Sequence, residues 1–229
     1  MKKITFSALV CSLALVACGK KPPQQESQAP EPAPAAAQAP APAPAPAPAA
    51  EPAVDDKAQK ERKEKEALMA YASMEDGYLG DARGQWATSA KASSSFSEET
   101  PPASPSESKA WRATGQPDGK EWTNNHQDMG MDWLELGYDK PVAATEVRVV
   151  FLGDGVEAVS KVELIDTDGK LHSVWSGISD VKADQRGRRT WFVRSFEKTP
   201  YPVKGVKVTI ANNLERGYKQ IDAVQLVGD

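Results

Sequence analysis

Asp132-Trp133-Leu134-Glu135-Leu136-Gly137-Tyr138 and, a few residues on, Thr145-Glu146-Val147-Arg148-Val149-Val150-Phe151 decide the fold class. Leu134, Leu136 and Tyr138 stand two apart, as do Thr145, Val147, Val149 and Phe151. A period of two puts each set on one face of a β-strand, whereas a helix would need recurrence at three and four. Working outward, Val162 and Leu164 continue the alternation. Asp166-Thr167-Asp168-Gly169 supplies a turn, and residues 171–175 run back as a hairpin. Residues 190–196 and the set Val206, Val208, Ile210 make two more strands. In a last strand, 220–227, adjacent Ala223 and Val224 break the alternation and predict a bulge. Short strands at this spacing, with no helical pattern between them, predict an all-β antiparallel sandwich of about eight strands. All six tryptophans lie from Trp86 onward, so the core domain is expected at 86–229.

The residues before it read differently. Lys2 and Lys3 precede an apolar stretch from Ile4 to Val16 that is too short to cross a bilayer as a helix. It ends in Leu15-Val16-Ala17-Cys18, which resembles the lipobox that a lipoprotein signal peptidase cuts before an acylated cysteine. Residues 1–17 are therefore expected to be an export signal and Cys18 the lipidated first residue. Two or more acyl chains hold a protein stably on a membrane without spanning it. Gly19 follows the cysteine, and the absence of Asp there resembles outer-membrane sorting, which predicts an anchor in the outer membrane facing the periplasm.

From 18 to 54 the chain is mostly Pro, Ala, Gln and Glu, with Ala-Pro alternation over 39–48. Such a segment buries too little to offset the entropy of ordering, and is expected to be a disordered, polyproline-like spacer. It serves either to lift the domain off the membrane or as a linker whose length matters little. Residues 55–85 are read as a charged helix, 55–75, and a connector, with Gly77 able to stop the helix. The run 57–66 is charged on every face, which predicts a solvated stalk.

Composition excludes several functions. With Cys11 and Cys18 as the only cysteines, and one in the signal, the mature domain has neither an internal disulfide nor a cysteine nucleophile. His126 and His172 are the only histidines, so a Cys/His zinc cluster is ruled out. The formal net charge is −4 and no basic block stands out, which argues against nucleic acid as a partner.

The order of signals in the domain resembles the discoidin-like jelly roll, also known as the galactose-binding-domain-like or coagulation factor 5/8 C-type domain. The carrying stretches are Trp86-Ala87-Thr88-Ser89-Ala90, Ala113-Thr114-Gly115-Gln116-Pro117-Asp118, Asp132-Trp133-Leu134-Glu135-Leu136, Lys161-Val162-Glu163-Leu164 and Gln220-Ile221-Asp222-Ala223-Val224-Gln225-Leu226. The resemblance implies two facing sheets with ligand contacts made by loops at one end, and binding of glycans, lipid headgroups or proteins rather than chemistry. It also implies a structural calcium in a loop corresponding to 113–122, with Asp118 as a ligand. Gln220 stands where the family commonly has Glu.

Within this frame, Trp122, Asn124, Asn125 and His126 form a loop rich in groups that hydrogen-bond sugar hydroxyls, with an aromatic beside them. Asn212 and Asn213, in the loop before the last strand, are expected to meet them at the same end. Asn and Asp are also ordinary turn formers, so a purely structural loop remains open. Trp133, Trp175 and Trp191 lie inside strands and are expected to pack. Arg186, Arg188 and Arg189 form a basic cluster beside Asp180 and Asp184, read as a solvated turn, and His172 is read as a surface residue. The expectation is a noncatalytic, membrane-anchored module whose partner is a glycan. A structural envelope protein docking on another protein, and a hydrolase with an unrecognised site, are the alternatives.

Overall fold

The computed structural model describes residues 56–96 and 109–229. The stretch read as an export signal, Cys18 and the Pro/Ala-rich segment expected to be a spacer lie outside them.

A helix, α1 (Asp56–Leu79), opens the described chain. Ten strands follow: β1 (Gly84–Trp86), β2 (Ser89–Ala92), β3 (Trp122–Thr123), β4 (Met131–Val142), β5 (Ala144–Leu152), β6 (Val159–Asp166), β7 (Leu171–Ser176), β8 (Arg189–Ser195), β9 (Val203–Ala211) and β10 (Gln220–Gly228). They form two five-stranded antiparallel sheets. The first runs β1-β10-β5-β8, with β3 also pairing β10; the second runs β2-β4-β9-β6-β7. The expected sandwich is present, and the two strands beyond the expected eight include the very short β3. The bulge in β10 falls between Ile221 and Ala223, next to the adjacent apolar pair that signalled it. The hairpin of β6 and β7 turns through Gly169, whose φ of 84° is costly for any residue with a Cβ.

Between the sheets lie the alternating residues already named, among them Leu134, Leu136, Val147, Val149, Phe151, Val162, Leu164, Val206, Val208 and Ile210, all essentially inaccessible to solvent. Each such side chain contributes about 1.5–3 kcal/mol of burial. Trp122 belongs to this core as well. It is fully buried, and its indole N–H reaches the Ser94 carbonyl at 2.9 Å and Ser95 Oγ at 3.1 Å. It is therefore a packed core residue and not the exposed sugar-stacking face its loop position suggested. Burial with a satisfied N–H is the usual fate of a tryptophan at a strand end.

The helix also departs from expectation. It does not stop at Gly77 but continues to Leu79, because its C-terminal half docks on the outer face of the first sheet. Met74, Tyr78 and Leu79 pack there with Trp86 against Val150, Trp191 and Ala223. Tyr71 is buried and donates its hydroxyl hydrogen to the Arg189 carbonyl at 2.8 Å. Gly187 makes room for it, since a Cβ there would lie 2.3 Å from the Tyr71 ring. Charged groups close the seam. Arg189 and the Trp191 indole both reach Glu75 Oε1 at 3.3 Å, and Arg148 meets Asp81 at 2.9 Å with its guanidinium 4.4 Å from the Tyr78 ring centre. Only the part before Tyr71 is the solvated stalk that was expected, and at its end Leu68 and Met69 remain exposed.

Two smaller readings change too. His172 is not a free surface residue: it stacks on Tyr201 at 3.9 Å, and its Nε2 lies 2.7 Å from Asp166. The arginine cluster is divided, Arg186 pairing with Asp184 and Arg189 turning inward to Asp222 and Glu75.

Candidate functional site

At one end of the sandwich the loop 124–130, between β3 and β4, lies against the segment 212–219, between β9 and β10. Parity places Asp132 on the inward face of β4, in line with Leu134 and Leu136, and it is 1% exposed. A buried carboxylate must be hydrogen-bonded. Oδ1 accepts from Ser93 Oγ at 2.7 Å and Ser94 Oγ at 2.8 Å, and Oδ2 from Asn212 Nδ2 at 2.9 Å and Asn124 Nδ2 at 3.2 Å. Burial pushes its pKa up, but these donors outweigh that and hold it below the ordinary carboxylate value. Its acceptor capacity is thus taken up within the protein, which makes Asp132 a frame for the two loops and not a base open to a substrate.

A second buried charge joins the loops. Lys219 is fully buried, and its ammonium donates to the carbonyls of Asn212 at 2.9 Å, Glu215 at 2.5 Å and Gly217 at 2.6 Å, and to that of Gln127. Desolvation pulls its pKa down, against the attraction of Asp128, Glu215 and Asp132. Asn124 Oδ1 accepts the Lys219 backbone N–H at 2.8 Å, and Asp128 accepts that of Gly217 at 2.9 Å. The loops are consequently held by bonds to backbone, which fix position more firmly than contacts between two exposed side chains.

The sequence-derived candidates therefore do converge, but in two layers. Asn124 and Asn212 are fully buried and bonded to each other, Nδ2 to Oδ1 at 3.0 Å, so they support the loops and cannot touch a ligand directly. Asn125, His126 and Asn213 are exposed above them. His126 Nδ1 lies 3.3 Å from both Asp132 oxygens, so the buried carboxylate orients the ring while leaving its side chain 58% exposed. Met129 and Met131 flank the same loop, 78% and 68% exposed, with Leu214 across from them. Ser93, Ser94, Asp132 and Lys219 were not anticipated. Asp132 was within reach, since an acidic residue at an inward position of an alternating strand implies buried partners; nothing in the pattern around Lys219 announces its role.

The calcium that the resemblance implies does not suit this loop. Asp118 is exposed, and its carboxylate takes the Lys120 ammonium at 2.9 Å and the Lys120 backbone N–H at 2.9 Å. Those bonds keep its pKa below the ordinary value. Asp222, the acidic residue of β10, accepts the N–H groups of Asp118 and Gly119 at 3.3 and 3.0 Å and the Arg189 guanidinium at 3.2 Å. A hard cation needs six to eight oxygen donors, whereas the groups directed at Asp222 are N–H donors and a fixed positive charge. Among the described residues no cluster of three or more His, Cys, Asp or Glu could hold a metal.

No protein-family model matches the chain. No curated protein matches it either. Solved structures with a similar fold include chitosan-binding module 1 from a chitosanase/glucanase of Paenibacillus sp. IK-5, at TM-score 0.46 and 13% identity, covering 61% of this chain and 94% of that one. A family 32 carbohydrate-binding module from Clostridium perfringens NanJ, in complex with galactose, has TM-score 0.44 and 14% identity over 62% of this chain and 98% of that one. A third, CBM32-3 from a family 31 glycoside hydrolase of Clostridium perfringens, has TM-score 0.47 and 12% identity over 66% and 98%. What these structures share with the chain is the fold, which its own strand order gives independently as an antiparallel sandwich.

Proposed function

We propose that this chain is an exported lipoprotein, held to the outer membrane by acyl chains on Cys18 and facing the periplasm, whose sandwich is a noncatalytic module that binds carbohydrate. The observation that carries the binding assignment is the layered loop end. Asn125, His126 and Asn213 present amide and imidazole groups to solvent on a support that Asp132, Asn124, Asn212 and Lys219 make rigid. Preorganised polar groups beside apolar surface, here Met129, Met131 and Leu214, suit a ligand with hydroxyls on one side and C–H groups on the other. The hydroxyls of Ser93 and Ser94 are directed to Asp132, which favours a binding role over hydrolysis at this end.

The same exposed methionines support a second reading, in which the loop end docks on an envelope protein, because flexible thioethers adapt to protein surfaces. A glycan array probed with the full chain carrying Cys18→Ala separates the two. Capture of defined glycans, weakened about two- to tenfold by each of Asn125→Ala, His126→Ala and Asn213→Ala at unchanged melting temperature, is the expected result. An array with no signal would leave the protein-docking reading. For the anchor, membrane association and acyl mass on Cys18 should both vanish in Cys18→Ala; unaltered fractionation would overturn it.

A further inference from the structure

The outer face of the second sheet holds a feature that the loop end does not include. Strand register aligns Ser89 with Gly137, Gly137 with Gly205, and Gly205 with Ile165, a row across β2, β4, β9 and β6. The two central members have no side chains, and a cleft of about 600 Å³ opens there. Ser89 and Ile165 lean over it from either side: a Cβ on Gly137 would meet Ser89 Oγ at 2.5 Å, and one on Gly205 would meet Ile165 Cδ1 at 3.0 Å. The floor is thus half hydroxyl and half methyl. The walls carry ion-paired and hydrogen-bonded groups, with Lys91 2.7 Å from Glu135 and Thr88 Oγ1 donating to Asp139 at 2.7 Å. Lys204 gives one of its N–H donors to the Thr167 carbonyl at 2.7 Å. An ammonium has three such donors.

We infer that this cleft is a second binding site, for a short neutral saccharide of one or two rings. The class of ligand rests on the carbohydrate reading of the protein, but the site has its own argument. Its volume falls within the range of small-molecule pockets. Lys91 and Lys204 balance Glu135 and Asp139, so the lining has no net charge with which to select a polyanion. A wholly apolar ligand would strip water from ammonium and carboxylate groups without replacing their hydrogen bonds. A sugar ring offers hydroxyls that both donate and accept around its edge, and a C–H face for Ile165. The cleft is also on the sheet that α1 does not touch, since the helix packs on the opposite outer face at Val150, Trp191 and Ala223.

The glycine amides make the test direct. The full chain carrying Cys18→Ala, labelled with ¹⁵N, is titrated with cellobiose, chitobiose and lactose to tens of millimolar while the Gly137 and Gly205 resonances are followed. Saturable shifts with at least one disaccharide are expected. They should persist when Asn125, His126 and Asn213 are all changed to Ala, be insensitive to added salt, and weaken about tenfold in Ser89→Trp, which fills the cleft. The smaller change Lys204→Ala should weaken them too, and serves if the tryptophan variant does not fold. Shifts confined to Asn125, His126 and Asn213 would overturn the cleft and leave carbohydrate binding at the loops standing. Silence at both places would remove both. Shifts at Gly137 and Gly205 that survive Ser89→Trp and Lys204→Ala would show that the ligand sits elsewhere.

Discussion

The two sheets bury their inner faces alike, yet their outer faces differ in kind. That of the first sheet carries Val150, Trp191 and Ala223 and is covered by the C-terminal half of α1. That of the second carries the row Lys91, Glu135, Lys207 and Glu163, aligned strand by strand, with the glycine cleft beside it and, among the described residues, no helix over it. An apolar outer face must be covered, whereas a row of alternating charges can meet water or a polar ligand. The two faces are therefore finished differently: one fastens the sandwich to its N-terminal helix, and the other presents its charges to solvent.

The largest effect should come from uncovering the first face. A fragment beginning at Trp86 removes Met74, Tyr78 and Leu79 from Trp191 and Val150 and Tyr71 from Arg189 and Gly187, and strips most of β1 from the edge of β10. Burial of such side chains contributes about 1.5–3 kcal/mol each when complete, so the loss should be about 5 kcal/mol, a large part of a domain's stability. Thermal melts of fragments 56–229 and 86–229 check this. The boundary expected from the tryptophans alone, at Trp86, would be restored if both melt at the same temperature.

That boundary shows where the pattern of residues is informative and where it is not. Alternation at Leu134, Leu136 and Tyr138 revealed the inner face because one side of that strand repeats apolar residues against polar ones. The cover on the outer face was written in a weaker signal. Val149-Val150-Phe151 is a continuous apolar run, and such a run marks a strand buried on both sides. Ala223-Val224 is a second case. It was legible as a bulge, which is present, but the burial of Ala223 also reflects the helix above it. On the helix, the charged run 57–66 hid the short apolar set at its other end. At the loop end, the meeting of the two segments could be anticipated from topology, since both precede strands, one in each sheet, that enter the sandwich at the same end. Which members would be inside could not, because Asn124 and Asn125 are chemically identical neighbours. Only the positions of Asp132 and Asn212 decide that the first turns in and the second out.

A narrower test of the covered face uses the Arg148 clamp. Arg148 is 5% exposed and is held by Asp81, by Glu146 and by Gln225 Oε1 at 2.9 Å. Removing one partner of a buried pair costs about 3–5 kcal/mol, so Arg148→Ala should lower the melting temperature sharply. The clamp also predicts an acid response. Partial burial would raise the Asp81 pKa, but its bonds to Arg83 and Arg148 prevail and hold it below the ordinary 3.8. A carboxylate with a depressed folded pKa stabilises the fold fully above its unfolded value, and that contribution is lost as pH falls through the folded one. The gap in melting temperature between the native chain and Asp81→Asn should therefore be constant near neutrality and close below about pH 3.8. A gap that persists into stronger acid would mean that Asp81 acts through packing alone.

The smallest effect should be on the open face, and it gives the comparison its sharpest form. Lys91 and Glu135 lie 2.7 Å apart on neighbouring strands, closer than Arg148 and Asp81, yet the Lys91 side chain is 46% exposed. Distance alone would rank this pair higher. Water reverses the order, because it solvates both charges when the pair is broken and screens them while it is made. Lys91→Ala should accordingly cost no more than about 0.5 kcal/mol, within the range of ordinary surface substitutions. Denaturant melts of Lys91→Ala and Arg148→Ala side by side test the ranking. Equal losses would show that the second sheet depends on its charged row as the first depends on its helix, and the cleft would then belong to the fold's own support and not to a surface kept free for a ligand.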